Sequence, residues 1–166
     1  MKKVFLGIGS NIGDRAVFLQ KSVDLAGKTL GTVMSVSPVY ETDPWGFVSE
    51  DKFLNAVIEM ETALNPSGLL GRILMIEAEL GRLREGKGFA SRTIDIDILF
   101  FGESVINEPA LIVPHPKIAG RRFVLEPLNA IAPGLIHPVY KKSIHELLEQ
   151  CPDTTSVKLS GIELSF

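Results

Sequence analysis

Apolar and polar positions along the first part of the chain predict short strands separated by a helix. Residues 4–8 form a β-rich run, and the turn residues after them lead to a helix that should begin near Arg15. Residues 32–40 and 53–61 are rich in strand-forming side chains, so we expect two further strands there. Residues 41–51 lack periodicity and are expected to form a long loop.

A second helix and a further strand complete the pattern. Asn65 and Pro66 supply an N-cap and a first-turn proline, and apolar residues then recur at helical spacing over 69–80. An irregular segment, 81–91, separates this helix from an alternating run at 92–98. The order strand, helix, strand, strand, helix, strand predicts an α+β, ferredoxin-like βαββαβ core with an antiparallel sheet and helices on one face.

The last third of the chain is broken by six prolines into short pieces, with a final helix predicted over 143–150. We expect these pieces to be C-terminal additions to the core. The 166 residues are 45% hydrophobic, which excludes a disordered chain, so residues 1–166 are expected to form a single domain.

Charge and cysteine content narrow the classes of partner. A net charge of -3 gives no global attraction to nucleic acid or to a membrane surface, and no apolar run approaches the roughly 20 residues of a spanning helix. The single cysteine, Cys151, excludes an internal disulfide and a multi-cysteine zinc site. We expect a cytoplasmic protein without an obligate protein partner.

The run Arg-Thr-Ile-Asp-Ile-Asp-Ile at 92–98 carries the strongest chemical signal. In a strand, Asp95 and Asp97 project from one face, about 7 Å apart, while the three isoleucines face the other side. Two close carboxylates repel each other unless a cation lies between them, and Mg²⁺ prefers such oxygen ligands. A solvated strand face is the alternative. This alternative is weakened by the consecutive apolar residues at 99–101. Their side chains would point to both faces of the strand, which indicates a central strand that is covered on both faces.

The segment 81–92 places four cations and three glycines directly before the aspartates. Glycines suit a lid that closes over an anion, and the planar guanidinium of arginine suits phosphate oxygens. An ordinary charged surface loop explains the segment equally well when it is taken alone.

Two other groups of residues suggest a ligand site. Thr42, Pro44, Trp45, Phe53 and Asn55 are side chains suited to stacking on a flat heteroaromatic ring and reading its edges, although a Phe at the start of a strand is commonly core. The glycines between residues 7 and 13 match neither a dinucleotide fingerprint nor a P-loop and support only a tight turn.

Weaker signals follow Pro114. His115 lies between two prolines, and a structural histidine is the default interpretation there. Arg121 and Arg122 place cations beside Phe123, just before a short apolar helix, and this pattern alone says little.

Taken together, these motifs resemble the 6-hydroxymethyl-7,8-dihydropterin pyrophosphokinase family. The resemblance runs from Gly7 to about Pro138 and is most specific in Arg-Thr-Ile-Asp-Ile-Asp-Ile at 92–98. The other matching motifs are the Gly-Ser-Asn turn at 9–11, Tyr40-Glu41-Thr42 with Pro44, Phe53-Leu54-Asn55, Gly81-Arg82-Leu83-Arg84, Val113-Pro114-His115, and Arg121 with Phe123.

The resemblance implies transfer of pyrophosphate from ATP to the pterin hydroxymethyl group in folate biosynthesis, with release of AMP. It implies two Mg²⁺ ions held by Asp95 and Asp97, and a lid loop whose Arg82 and Arg92 support the transition state. It also implies a pterin site of Thr42, Pro44, Trp45, Gly46, Phe53, Asn55 and Phe123. The implied ATP site comprises Glu77, Arg84, Arg92, Ile98, His115 and Arg121.

Three positions depart from the common family pattern, namely Phe53 for a frequent Tyr, Phe89 for a lid Trp, and Ala110 for an arginine of some members. Two other functions stay open from the residues. One is a non-catalytic ligand-binding domain on a ferredoxin-like sheet, and the other is a two-metal phosphohydrolase that would release free phosphate.

Overall fold

Strands and helices follow the predicted order through the described residues, which are 1–43, 52–81 and 93–166 of a computed structural model. The strands are β1 (Lys2–Ser10), β2 (Thr32–Val36), β3 (Tyr40–Thr42), β4 (Phe53–Thr62), β5 (Asp95–Phe101), β6 (Ile106–Glu108), β7 (Leu111–Val113) and β8 (Val157–Leu159). The helices are α1 (Arg15–Thr29), α2 (Pro66–Glu79), α3 (Arg122–Ile131) and α4 (Ile144–Glu149), with a short 3-10 helix at Ile118–Gly120.

Six of the strands form one antiparallel sheet. β1 pairs with β5 on one side and with β4 on the other, and the far edge of β4 is shared by β2 and β3. The sheet ends with β8, which pairs with β3, while β6 and β7 form a separate hairpin. This arrangement confirms the predicted ferredoxin-like α+β fold and its C-terminal additions.

The strand predicted over 32–40 is divided in two. Ser37 interrupts it, because its backbone N–H donates to the Val57 carbonyl at 2.9 Å while its hydroxyl accepts from the Val57 N–H at 2.8 Å. Pro38 follows and has no N–H for the ladder. The chain therefore leaves β4 after β2 and returns to the same strand with β3.

Helices cover both faces of the sheet. α1 and α2 bury their apolar sides against one face, and α3 and α4 pack with the other. α1 and α2, the helices of the βαββαβ core, lie on one face as predicted, and α3 and α4 belong to the C-terminal additions. The packing of these additions on the opposite face was not predicted, because prolines break their apolar pattern; Pro127 itself lies inside α3.

β5 lies at the edge of the sheet, so the prediction of a central strand is wrong. Its burial on both faces comes from a register shift against β1: Phe5 lies opposite Phe100 and Leu6 opposite Ile98, which leaves Leu99 as an extra residue. Leu99 and Phe100 consequently both face the α3 and α4 layer, and Phe101 returns to the α1 and α2 side.

Local capping explains where several helices begin. The Asn65 side chain accepts from the Gly68 N–H at 2.7 Å, and Ser143 and Glu146 form a reciprocal capping box at α4. The predicted final helix is thus correct, with Ser143 as its cap. Among the helices that the structure describes, none is long and apolar enough to cross a membrane.

Candidate functional site

A cavity of about 200 Å³ opens on the sheet face away from α1 and α2, where two glycines leave room. Gly7 of β1 lies opposite Asp97 of β5, and Gly9 lies opposite Asp95. The β1 residues opposite the two carboxylates therefore contribute no side chain to this face, which leaves room for the cavity. Gly7 lies in the predicted first strand, but Gly9, predicted as a turn residue, also belongs to β1; the turn expectation fits Gly13, which has a φ of 73°.

The structure confirms the predicted orientation of the side chains along the alternating strand. Ile94, Ile96 and Ile98 are buried in the core below the sheet, while Asp95 and Asp97 are partly exposed and line the cavity. The solvated-face alternative does not describe this geometry, because the carboxylates lie in a concave pocket.

Glu77 fixes the backbone between the two aspartates. This α2 residue is 1% exposed, and its Oε2 accepts a hydrogen bond from the Ile96 N–H at 3.0 Å. Because β5 is the edge strand among the described residues, its outward N–H groups pair with no strand described there, and Glu77 provides an acceptor for one of them. The Glu77 carboxylate thus helps to set the position from which Asp95 and Asp97 project.

The opposite wall of the first cavity holds a polar pair. Asn55 Nδ2 donates to Thr42 Oγ1 at 2.7 Å, and both side chains are buried. A methyl group built on Gly9 would lie 2.6 Å from Asn55 Oδ1, so the amide passes directly over that glycine. Phe53 lies beside them in the cavity wall, partly exposed. Phe53 is therefore not simply a residue of the hydrophobic core, which was the alternative for a Phe at the start of a strand.

The N-terminus of α3 forms a further wall. Arg121, 8% exposed, has its guanidinium carbon 5.5 Å from the ring centroid of Phe123, within the range of a cation–π contact. Both residues line the first cavity. An aromatic face and a positive charge are thereby held at one mouth of the pocket.

A second cavity of about 550 Å³ adjoins the first and shares three of its residues, Asp95, Asp97 and His115. Glu77 and Ile98 also line it, next to Pro109 and Ala110. Its remaining walls are mostly apolar and were not predicted from the sequence; they include Leu70, Ile73, Leu74, Leu111 and Ile112. In the sequence these residues occupy ordinary apolar positions of a helix and a strand, so nothing distinguished them from residues of the hydrophobic core.

His115 lies at the junction of the cavities as a neutral side chain. Burial, together with the charges of Arg121 and Lys117 and against the opposing effect of Asp95, lowers its pKa from 6.5 to about 4. Nδ1 accepts from the Lys117 N–H at 3.2 Å, which places the ring proton on Nε2. The imidazole can therefore donate a hydrogen bond without carrying a charge at neutral pH.

The donor set at the junction suits Mg²⁺ that arrives with a ligand. Among the described residues, no group of three or more His, Cys, Asp and Glu side chains could hold a metal. Two partly exposed carboxylates leave most of an octahedral shell to water and ligand oxygens, which is the usual way proteins bind this ion. The predicted site residues Pro44, Trp45, Gly46, Arg82, Arg84 and Arg92 lie outside the described residues.

Comparison with known proteins gives consistent matches. Residues 5–133 match the family described as 7,8-dihydro-6-hydroxymethylpterin-pyrophosphokinase (HPPK). A protein of Aquifex aeolicus (strain VF5) named 2-amino-4-hydroxy-6-hydroxymethyldihydropteridine pyrophosphokinase is 41% identical over 146 residues, which cover 88% of this chain and 90% of that protein. The protein of the same name from Bacillus subtilis (strain 168) is 46% identical over 128 residues, 76% of each chain.

Solved structures agree on the fold. A crystal structure of an HPPK-DHPS in complex with substrates superposes with a TM-score of 0.76 at 16% identity. The alignment covers 90% of this chain and 43% of that one, so the chain spans less than half of this longer protein.

Proposed function

The chain belongs to the 7,8-dihydro-6-hydroxymethylpterin-pyrophosphokinase family, and we propose that it transfers pyrophosphate from ATP to 6-hydroxymethyl-7,8-dihydropterin by a two-magnesium mechanism with an arginine-bearing loop. We take the whole chain, residues 1–166, as the domain with this activity. One observation carries the proposal: Asp95 and Asp97 line both cavities, so ligands in the two cavities would meet at the carboxylates.

The smaller cavity suits the pterin. Phe53 and Phe123 offer aromatic faces for a flat ring, and the Asn55 and Thr42 pair offers hydrogen-bonding groups for its edges. We assign Pro44, Trp45 and Gly46 to the same pocket from the family resemblance alone.

The larger cavity suits ATP. Its apolar walls, with Ile98 among them, accommodate a base, and the His115 Nε2–H at the junction is a donor for phosphate oxygens. Arg121 lines the smaller cavity, and we assign its guanidinium to phosphate oxygens that reach the junction. Glu77 supports this pocket through the backbone of β5. Arg84 and Arg92 are assigned to ATP by the resemblance.

The reaction joins the hydroxymethyl oxygen to the β-phosphorus and breaks the bond from that phosphorus to the oxygen that bridges it to the α-phosphate. AMP leaves with the bridging oxygen, and the hydroxymethyl proton passes to Asp95 or Asp97. Magnesium, when bound by these two carboxylates and the triphosphate, would neutralise phosphate charge and lower the pKa of the attacking hydroxyl. Arg82 and Arg92 are proposed to stabilise the charge that develops in transfer.

The catalytic contribution of the protein is therefore mainly positioning. β5, held by Glu77 on its open edge and by β1 on the other, keeps the two carboxylates at the point where donor and acceptor meet. No side chain has to act as a strong base.

The direct test is a nucleotide assay with the reduced hydroxymethylpterin, ATP and Mg²⁺. AMP should form in a one-to-one ratio with consumed pterin, and Asp97→Asn should reduce its rate by roughly 10²-fold or more. Asp24→Asn is the matched control, because Asp24 is an exposed aspartate on α1 that bonds only Gln20 among the contacts described for it.

Other results would identify the alternatives. ADP as the product, or no turnover, would contradict the proposal, and pterin-independent release of phosphate would indicate a phosphohydrolase. Ligand binding that is unchanged by Mg²⁺ and by Asp97→Asn, without turnover, would indicate a non-catalytic binding domain.

A further inference from the structure

The C-terminal tail, residues 151–166, contacts two different walls of the smaller cavity. The family match ends at residue 133, so this tail lies beyond the part that the family model describes. The contacts with these two walls are made through Asp153 and through β8.

The first contact is at the N-terminus of α3. The Arg122 N–H donates to Asp153 Oδ2 at 3.0 Å, and Arg122 Nε donates to the Asp153 carbonyl at 2.8 Å. Arg121, the N-cap of α3, makes no side-chain capping bond, so Asp153 supplies the acceptor for the first turn from far along the chain.

This contact bears directly on the pocket because Arg122 lies between Arg121 and Phe123, which both line it. Burial alone would raise the pKa of Asp153, but hydrogen bonds from Thr155 and Arg122 and the charge of Arg122 outweigh that effect and lower it. A charged carboxylate also suits the positive end of the helix dipole.

The second contact is with the opposite wall. β8 pairs antiparallel with β3, and Val157 lies opposite Thr42, whose hydroxyl accepts from Asn55 Nδ2. Asp153 and Val157 are separated by only three residues, and the Thr155 N–H donates to Asp153 Oδ1 at 2.9 Å, which gives this short connection an internal bond. This short segment of the tail thus links the wall that contains Phe123 to the wall that contains Thr42 and Asn55.

We propose that Asp153 is a positioning residue for the pterin, fixing the spacing between the Phe123 wall and the Thr42 and Asn55 wall. The proposal rests on the assignment of the smaller cavity to the pterin. Removing the carboxylate leaves the first turn of α3 uncapped and breaks the bond from the Thr155 N–H. Only the bond from Arg122 Nε to the Asp153 carbonyl then remains, so the stacking face is held less firmly at one distance from the polar pair. Pterin affinity should fall, whereas the transfer step, which depends on Asp95 and Asp97, should not change once both substrates are bound.

The test is Asp153→Ala in the full chain, with the pterin titrated in the presence of Mg²⁺ and α,β-methylene-ATP, whose bridging carbon prevents transfer. The pterin Kd should rise about fivefold, as expected for loss of a helix cap, while kcat at saturation of both substrates stays within about twofold. Asp153→Asn keeps the shape and one acceptor oxygen, so its Kd should lie between those of wild type and Asp153→Ala; it also serves if the alanine variant folds poorly.

Ser143→Ala is the control for general loss of stability, because it removes the cap of α4, a helix with no residue in either cavity. Its pterin Kd should equal that of wild type. An unchanged Kd in Asp153→Ala, or an equal rise in Ser143→Ala, would overturn the positioning role. Failure of the wild-type protein to produce AMP would instead refute the proposed function, so the two outcomes are distinguishable.

Discussion

Gly9→Ala should damage the pterin pocket through one displaced side chain. The new methyl group would lie 2.6 Å from Asn55 Oδ1, about 0.8 Å inside the 3.4 Å at which ordinary contacts begin. The carboxamide therefore has to rotate or shift, and this breaks its 2.7 Å hydrogen bond to Thr42 Oγ1. Both polar groups are buried, so neither finds water without further rearrangement.

The size of the effect follows from those contacts. Loss of a buried hydrogen bond costs about 1–3 kcal/mol, and the smaller backbone entropy of alanine in a strand returns about 0.5–1 kcal/mol. The difference is a net loss of about 0–2.5 kcal/mol with a midpoint of about 1 kcal/mol, and each kcal/mol corresponds to a Tm about 2–4 °C lower for a chain of this size. Pterin affinity should fall by roughly tenfold or more, because the displaced amide would read the ring edge.

The measurement is a double-mutant cycle of Gly9→Ala and Asn55→Ala, followed by thermal unfolding and by pterin titration. In the Asn55→Ala background the second substitution should cost almost nothing, because the atom it strikes is gone. Gly7→Ala is the geometric control on the same strand face: its methyl would lie 3.4 Å from the flexible end of Leu99. Unchanged pterin affinity in Gly9→Ala, or a penalty that persists without Asn55, would refute this reasoning.

Three further changes test other parts of the structure. Glu77→Ala should lower stability by about 1–3 kcal/mol and lower turnover, because the Ile96 N–H loses its acceptor. Glu77→Gln keeps an acceptor oxygen, so it should retain most of the stability in unfolding experiments and most of the turnover in AMP assays. Between pH 6.5 and 4, His115 is protonated in the unfolded chain but neutral in the folded one, so Tm should fall as the pH falls. His115→Gln should reduce this dependence of Tm on pH. A titration midpoint near 6.5 for His115 by NMR would contradict the prediction. Ser143→Ala should lower stability by about 1 kcal/mol in denaturant unfolding and leave the AMP assay unchanged, whereas a loss of activity would show that α4 influences the site.

Local patterns were sufficient to predict much of this fold. The alternation of isoleucine and aspartate predicted correctly which side chains of β5 face the core and which face the cavity, since strand periodicity depends only on neighbouring residues. Asn65 and Ser143 likewise marked the starts of α2 and α4, because a cap acts within one turn.

Features that depend on distant pairing could not be predicted in this way. The split at Ser37 arises from its bonds to Val57 on β4, and the pairing of β8 with β3 joins segments more than a hundred residues apart. The role of Gly7 and Gly9 had a usable signal, since Val4, Leu6 and Ile8 alternate with them and face the α1 and α2 core.

The extra residue in β5 also determines which changes in chain length the site can accommodate. Ile98 and Phe100 pair with consecutive residues of β1, so deletion of Leu99 would leave a regular strand in which every other side chain keeps its face. Deletion of Ile96 would instead make Asp95 and Asp97 neighbours in the sequence, so that the two carboxylates would point to opposite faces of the strand. Leu99 is therefore the position at which this strand tolerates a change of length without loss of its chemistry.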